Sequence, residues 1–443
     1  MLTAPQGIEP SGLFSPFDLA SQNSVIAAVS GGSDSTALLL LLKHHLDRLA
    51  PSPRLVAVTI DHALRADSAS EAASVARLCA ALGVPHRILT WAGDKPTTGL
   101  AAAAREARHE LLAEAAVAEK TDLVLTGHTA DDQAETVLMR QARDYTSDGE
   151  RGLAGIAPAT LFDQRSWVVR PLLATRREAL RGFLRQHQIG WIDDPTNLNQ
   201  RYERPRVRKR LAEAGGETAI ADALKIAGEA ARKREALGKE AARLIRDHAN
   251  RPAVGLLRLQ PDFFRGEHAE AAVFALRILL AAAGGTSHLP DQARTTALHA
   301  RLAAGEQVRS VLSRALVDQR KAGVFLLREA RGLPNVKPLQ EGLVWDGRYR
   351  IVAASPRFRA GSPTSFREGE EPDTRSSPVG PVPDSLLRLA TAAQPALPAA
   401  LAAIPILAPW ARYLPSFDLA PAHALAELIG APPIPPPPFQ EHD

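Results

Sequence analysis

Val25-Ile26-Ala27-Ala28-Val29-Ser30-Gly31-Gly32-Ser33-Asp34-Ser35-Thr36-Ala37-Leu38-Leu39-Leu40-Leu41-Leu42 is the stretch that decides the fold of this chain. It is apolar and partly β-branched up to Val29, glycine-rich and polar from Ser30 to Ser35, and then rich in leucine. Strand, glycine turn, helix is the arrangement that presents bare backbone N–H groups and a helix N-terminus to a phosphate. The paired glycines let the chain turn tightly and let phosphate oxygens come close to the backbone. The lysine of a Walker A loop is absent, and so is its Gly-x-x-x-x-Gly-Lys spacing. Asp34 stands where a carboxylate can hold Mg²⁺ beside bound phosphates. The competing explanation is a glycine turn that merely opens an ordinary helix. The strand–loop–helix context disfavours it.

Outward from this loop, residues 24–190 alternate strand-like and helix-like segments. Strands are expected at 24–29, 54–60, 86–91, 122–126 and 166–170, and helices over 68–82, 101–119 and 130–142. This βαβα rhythm predicts an α/β fold, a doubly wound and mostly parallel sheet with helices on both faces. Ligands of such sheets sit at the carboxyl ends of the strands. Three polar clusters fall there: Ser30–Ser35, Asp61-His62, and Gly127-His128-Thr129-Ala130-Asp131-Asp132. If a helix starts near Thr129, Asp132 and Glu135 share one face. Such a carboxylate pair can hold Mg²⁺ or an incoming ammonium. It can equally be a capped helix start, with Asp131 and Asp132 favoured by the helix dipole. Arg105 and Arg108 lie one turn apart on a helix and can either reach a phosphate or form an exposed face.

The chain has 443 residues, a formal net charge of +4 and one cysteine, Cys79. That length supports two or three domains. A single thiol excludes an intrachain disulfide framework and a cysteine-rich metal site. Met1–Ser11 is neither basic nor apolar, so no signal peptide is expected. The apolar stretch from Ala396 to Ala411 is broken by Pro398, Pro405 and Pro409 and is no membrane span. A cytoplasmic protein without membrane contact is therefore expected. Arginine outnumbers lysine about five to one, and Arg201-Tyr-Glu-Arg-Pro-Arg-Val-Arg-Lys-Arg210 is six-tenths basic. Such clusters suit a phosphate backbone.

The boundaries expected are a nucleotide-binding domain over 1–215, an alanine-rich helical domain over 216–340 and a C-terminal region over 341–443. Within the last, 355–385 reads as a flexible linker. Pro432–Pro438 reads as a polyproline II tail, and a disordered end at that.

Ser-Gly-Gly-x-Asp-Ser at 30–35 resembles the signature of the N-type PP-loop ATP pyrophosphatases. These split ATP between the α and β phosphates and activate a substrate as its adenylate. Asp61-His62-Ala63-Leu64-Arg65 is similar to a segment of the tRNA-modifying branch. The succession Arg170-Pro-Leu-Leu173, Trp191-Ile-Asp-Asp-Pro-Thr-Asn197 and Arg201-Tyr-Glu-Arg-Pro-Arg-Val-Arg208 looks like the tRNA(Ile)-lysidine synthetases. That family joins free lysine to the wobble cytidine of isoleucine tRNA with a CAU anticodon.

The resemblance implies ATP and Mg²⁺ as cofactors. ATP would lie on Ser30, Gly31, Gly32, Ser33, Asp34, Ser35, Asp61, His62, Gly127 and His128, with Mg²⁺ at Asp34. Asp34, Asp132, Glu135 and Arg108 would be catalytic, the Asp132–Glu135 pair receiving the lysine ammonium and Arg108 the α-phosphate. Arg201, Arg204, Arg206, Arg208 and Arg210 would grip tRNA. Two departures stand out. The family usually has Asn where this chain has Pro205, and an Arg-Gly-[Ser/Thr]-Gly-like turn where it has Arg143–Gly152. Two rivals remain, a PP-loop tRNA thiolase and a non-catalytic RNA-binding protein on the same fold. Sulfur transfer generally needs reactive cysteines or an iron–sulfur cluster, which Cys79 alone does not supply. The assembly state, monomer or homodimer, is left open.

Overall fold

The opening apolar run forms β1 (Ser24–Ala28), buried at every position, as befits a strand covered on both faces. The structure, a computed structural model, describes residues 8–65, 67–142, 149–193, 203–213, 215–266, 268–335, 338–354, 382–407 and 410–440. The chain divides into two compact units, Met1–Ala231 with Pro435–Asp443, and Arg232–Ile434. That differs from the boundaries expected at 215 and 340. The division falls inside one long helix, and the C-terminal region is shared between the units.

In the first unit, α1 (Pro10–Phe14) precedes β1. Then follow α2 (Ser33–Leu46), β2 (Arg54–Asp61), α3 (Ser68–Ala81), β3 (His86–Thr90), α4 (Leu100–Ala118), β4 (Leu123–Thr126) and α5 (Ala130–Gln141). An antiparallel hairpin, β5 (Ala159–Phe162) with β6 (Ser166–Val169), leads to α6 (Arg177–Gln186), α7 (Glu203–Glu213) and α8 (Gly216–His248). The strand order is β5-β6-β4-β1-β2-β3. Every neighbouring pair but β5–β6 is parallel. Each strand and helix expected over 24–190 is present; β5 was not foreseen. The order reverses between β1 and β4, so the crevice beyond their carboxyl ends is where a ligand belongs.

Apolar spacing on the helices matches this arrangement. α3 turns Ala72, Val75 and Cys79 inward. Cys79 is fully buried, and burial pushes its thiol up to about 11. A buried neutral thiol of that kind is a small hydrophobe and a poor nucleophile. Cys79→Ala is therefore expected to cost about 1 kcal/mol of stability and to leave the RNA-modifying activity implied by the resemblance nearly intact. Denaturant unfolding and a tRNA-modification assay on the variant check both halves.

The proline-rich end is not disordered. Pro438 is buried, and its carbonyl accepts from the Asp18 backbone N–H at 3.2 Å. Gln440 N donates to Pro16 O at 2.9 Å, and the Phe439 ring stacks on Phe17 with centroids 5.6 Å apart. Phe439, the one aromatic residue after the proline run, anchors the segment and overrides its low-complexity composition.

Residues 216–340, most of which fall in the second unit, were expected to form a helical domain. That unit also holds a five-stranded antiparallel sheet, β7 (Ala249–Ala253), β8 (Leu256–Leu259), β9 (Arg309–Leu312), β10 (Ala315–Arg320) and β11 (Gly323–Arg328), in the order β7-β8-β11-β10-β9. α9 (Ala269–Gly284) and α10 (Gln292–Ala303) lie between β8 and β9 in sequence. A three-stranded sheet follows, β12 (Val344–Trp345), β13 (Tyr349–Ala353) and β14 (Leu401–Pro405). Asp346, wholly buried, accepts from Arg328 Nε at 3.0 Å and Arg348 Nε at 2.9 Å and also pairs with Arg314. One carboxylate thus ties β11 to the β12–β13 turn. The expected linker at 355–385 lies outside the described residues up to 381. Its end begins α11 (Asp384–Ala392), which buries Leu386 and Ala390.

Candidate nucleotide and amine site

The Ser30–Ser35 loop is held in shape before any ligand arrives. Ser35 Oγ accepts from the Ser30 backbone N–H and donates to Gly32 O, both at 3.1 Å. Gly31 has φ +86°, and a Cβ there would stand 2.7 Å from Ile192 Cδ1. Ile192 N in turn donates to Gly31 O at 2.9 Å. A Cβ on Gly127 would stand 2.9 Å from the Asp34 and Ser35 backbone. The left-handed conformation favours glycine at 31, and close approach of the Asp34–Ser35 backbone requires it at 127. The N-cap of α2 is Gly32, so no cap side chain competes for the first-turn N–H groups.

The loop opens into a cleft of about 710 Å³. The cleft is lined by Ser30, Gly32, Ser33, Asp34 and Ser35 of the loop and α2, Arg108 of α4, Gly127 and His128 after β4, Asp132 of α5, Arg177 and Arg181 of α6, Ile192 and Asp193, and Arg204 and Arg208 of α7. Loop, β4 end and carboxylate were expected to converge, and they do. Gly31 contributes its backbone turn. Asp61, His62 and Glu135 lie outside the wall formed by the described residues. Asp61 Oδ1 instead accepts from the Ala63 backbone N–H at 2.8 Å, shaping the turn after β2. His62 stands edge-on to Trp91, and its Nδ1 has no hydrogen-bond partner.

Thr129 caps α5 and forms a capping box with Asp132. Asp132 Oδ2 accepts from Thr129 N at 2.9 Å and Thr129 Oγ1 at 2.8 Å, which leaves Oδ1 for the cleft. The cap and the site are two oxygens of one carboxylate. Asp132 Oδ1 accepts from Arg177 Nη2 at 3.0 Å. Arg177 Nε donates to Asp34 Oδ2 at 2.7 Å, and Nη1 to Glu135 Oε1 at 3.4 Å. Burial works against the Asp132 carboxylate. Arg177, His128 and Arg204 outweigh it and hold the group below the ordinary carboxylate range. Glu135 is only 1 % exposed and also takes Arg208 Nε at 2.8 Å and Arg204 Nε at 3.1 Å. It is an anchor for arginines, and the expected Asp132–Glu135 pair does not face the cleft together.

Sequence reasoning missed Arg177. Asp131, at the start of α5, accepts from the Arg177 backbone N–H at 2.7 Å and Arg176 Nε at 3.3 Å. Ala130 N donates to Thr175 O at 2.9 Å. These bonds fix the first turn of α6 against α5, while Leu180, Phe183 and Leu184 bury the opposite side. A signal existed. Arg176-Arg177 opens a helix, where the macrodipole disfavours cations. Two arginines there imply acidic partners from elsewhere.

A second cationic group lies on the β4 side. Among the described residues no carboxylate pairs with Arg108 or with buried Arg170. Arg170 Nη1 donates to Ala157 O at 2.7 Å and Thr160 Oγ1 at 3.0 Å. Burial, with Arg105 and Arg108 nearby, lowers Arg170 to about 9. Burial and Arg105 also lower Arg108. Burial, Arg170 and Arg108 keep His128 far below the usual histidine range, so it is neutral at pH 7. Unbalanced guanidinium charge beside a glycine loop is the electrostatic signature of an anion site.

His109, beneath Arg105 and Arg108, is brought down to about 4, chiefly by burial. Its folded value lies below its unfolded value near 6.5, so the unfolded chain binds more protons between them. Stability is then constant above about pH 6.5 and falls as pH drops towards 4, by on the order of 3 kcal/mol. His109→Gln should flatten the fall of the thermal midpoint between pH 7 and 5.

The basic cluster splits in two. Arg204 and Arg208 face Glu135 and the cleft, whereas Arg206, Lys209 and Arg210 are exposed on α7. Arg201 lies outside the described residues, as do 143–148 of the atypical loop. Pro205 sits in the first turn of α7, where its missing N–H has no intrahelical partner to lose.

Known proteins match this sequence. A PP-loop domain family (ATP_bind_3) matches residues 10–214. A tRNA(Ile)-lysidine synthase of Mesorhizobium japonicum is 53% identical over 450 residues, covering 97% of each chain. This chain belongs to the tRNA(Ile)-lysidine synthase family. Proteins of that name from Brucella anthropi and Rhizobium meliloti are each 40% identical, covering 78% and 77% of this chain and 78% and 76% of their own. Among solved structures, the U34-tRNA thiolase NcsA from Methanococcus maripaludis with its [4Fe-4S] cluster aligns with a TM-score of 0.42 at 16% identity, covering 50% of this chain and 77% of its own. The family fits a PP-loop that uses ATP. No helix among the described residues is long and apolar enough to cross a membrane.

Proposed function

We infer that this protein ligates free lysine to C2 of the wobble cytidine in the CAU anticodon of isoleucine tRNA. The observation that carries the reading is one cleft into which the Ser30–Ser35 loop, Arg108 and Asp132 all open. Loop N–H groups and the α2 N-terminus receive the triphosphate of ATP. Arg108, without a carboxylate of its own, meets the α-phosphate. Neutral His128 can donate or accept a hydrogen bond there without adding charge.

The donor set also suits Mg²⁺. Asp34 offers hard carboxylate oxygen, and a guanidinium already stands there as a cation. No cluster of three or more ligating side chains occurs among the described residues, which fits an ion that takes its remaining ligands from phosphate and water. Mg²⁺ would be held by Asp34 and would neutralise phosphate charge.

In the first step cytosine O2 bonds to the α-phosphorus and pyrophosphate leaves. The loop N–H groups are preset to stabilise the negative charge that builds there. In the second step the lysine ε-amine bonds to C2, the C2–O bond breaks and AMP leaves. The amine is mostly protonated at neutral pH, its pKa being about 10.4. Asp132 Oδ1 is the carboxylate at the cleft that can bind the ammonium and help it lose its proton. Glu135 positions Arg177, Arg204 and Arg208. Exposed Arg206 and Arg210 contact tRNA phosphate.

The test is pyrophosphate release from ATP with and without unmodified tRNA. Release that requires the tRNA supports an adenylating enzyme. Binding of tRNA without any release would favour a non-catalytic RNA-binding protein.

A further inference from the structure

Arg177 is one planar cation across two carboxylates with separate tasks in the reaction just described. Its Nε meets Asp34 at 2.7 Å, where the metal-bound nucleotide is assigned. Its Nη2 meets Asp132 at 3.0 Å, where the ammonium is assigned. The third contact, to Glu135 at 3.4 Å, leads away from the cleft towards Arg204 and Arg208. A guanidinium does not lose its proton in a protein, so these contacts persist at any physiological pH. Both ligands of the proposed reaction are therefore competing with a charge that the protein itself supplies.

The backbone around Arg177 is fixed by partners outside the cleft, whereas two of the carboxylates that hold its side chain, Asp34 and Asp132, line the cleft. Asp131 holds the Arg177 backbone N–H, and Leu180 and Leu184 are wholly buried. The side chain, 16% exposed, is held by charge-assisted hydrogen bonds to the three carboxylates and a long one, 3.5 Å, to Thr129 Oγ1. Losing Asp34 would remove the shortest of the three contacts. Glu135 would still be there to receive the guanidinium at the back of the cleft.

We propose that Arg177 is a resident substitute for the lysine ammonium, closing the Asp132 site until Asp34 is engaged by bound nucleotide. Amine entry then follows nucleotide entry, so lysine does not occupy the cleft ahead of the group it is to attack. The proposal rests on the lysine-ligation reading and makes Arg177 a positioning residue for that reaction. It replaces a static picture, in which Arg177 only pins α6 to α5, with a competition that can be measured.

The experiment is calorimetric titration of L-lysine into the full chain. It is done alone and with Mg²⁺ plus an ATP analogue whose α–β bridge resists cleavage. For the unchanged protein, nucleotide should strengthen lysine binding on the order of tenfold, the scale of one charge-assisted contact exchanged for another. Arg177→Gln should bind lysine equally well with and without nucleotide. Arg177→Lys, which keeps a cation but not the fork, should restore part of the dependence. Binding of the analogue by each variant reports that it is folded, and Arg177→Lys decides the matter should the glutamine variant not fold. The proposal is overturned if Arg177→Gln keeps the nucleotide dependence of the unchanged protein, or binds lysine more weakly in both states. If no form binds lysine, the ligation reading fails and takes this proposal with it.

Discussion

Asp34→Ala is expected to abolish tRNA-dependent pyrophosphate release while leaving tRNA affinity within a few fold. Asp34 sits in the first turn of α2, its Oδ1 accepting from Ser33 Oγ at 3.0 Å and its Oδ2 from Arg177. Truncation removes the hard oxygen donor beside the phosphate loop and the shortest contact of Arg177. Groups that stabilise charge at the reacting phosphorus contribute about 10²–10³ in rate each, and loss of metal positioning adds to that. A single-turnover assay with labelled ATP reads the first step without the second. Substantial pyrophosphate release by this variant would sink the Mg²⁺ assignment at Asp34.

Asp132→Asn is expected to act on the second step. The change is isosteric, and an amide oxygen can still accept from the Thr129 backbone N–H, so the α5 cap survives. The charge at Oδ1 does not. Exchanging an ionic contact to an ammonium for a neutral one costs about 1.5–3 kcal/mol, which raises the lysine KM roughly 10- to 100-fold. Pyrophosphate release should change much less. Glu240→Gln, in the second unit, is the control and should leave lysine transfer unaltered. Normal turnover of Asp132→Asn at low lysine concentration would mean that Asp132 serves α5 as a cap and nothing more.

Most of the first unit was legible because its signals are local. A β-branched run, two adjacent glycines and a leucine run specify strand, turn and helix within eighteen residues. Polar clusters after β1 and β4 then fall at one sheet edge by topology alone. What stayed hidden depends on contacts distant in sequence. Asp132 and Glu135 share a helix face, yet Glu135 is turned into the cluster of Arg204 and Arg208 by packing that spacing does not encode. Arg177 meets Asp34 across 143 residues. The basic run 201–210 looked like one RNA-facing surface, but its helical period sends Arg204 and Arg208 inward and Arg206 and Arg210 outward. In the second unit the alanine-rich helices masked a sheet whose strands are short. β11, Gly-Val-Phe-Leu-Leu-Arg, is apolar enough to be buried throughout, and a short apolar run does not reveal by periodicity whether it is strand or helix.

The protein, ATP, Mg²⁺, labelled lysine and unmodified isoleucine tRNA with a CAU anticodon should be incubated together, and the tRNA digested to nucleosides for mass spectrometry. Lysine ligation requires a cytidine carrying the label at the wobble position, formed only with ATP and accompanied by AMP. A wobble nucleoside that contains sulfur and no lysine, or an unchanged cytidine despite ATP cleavage, would contradict it.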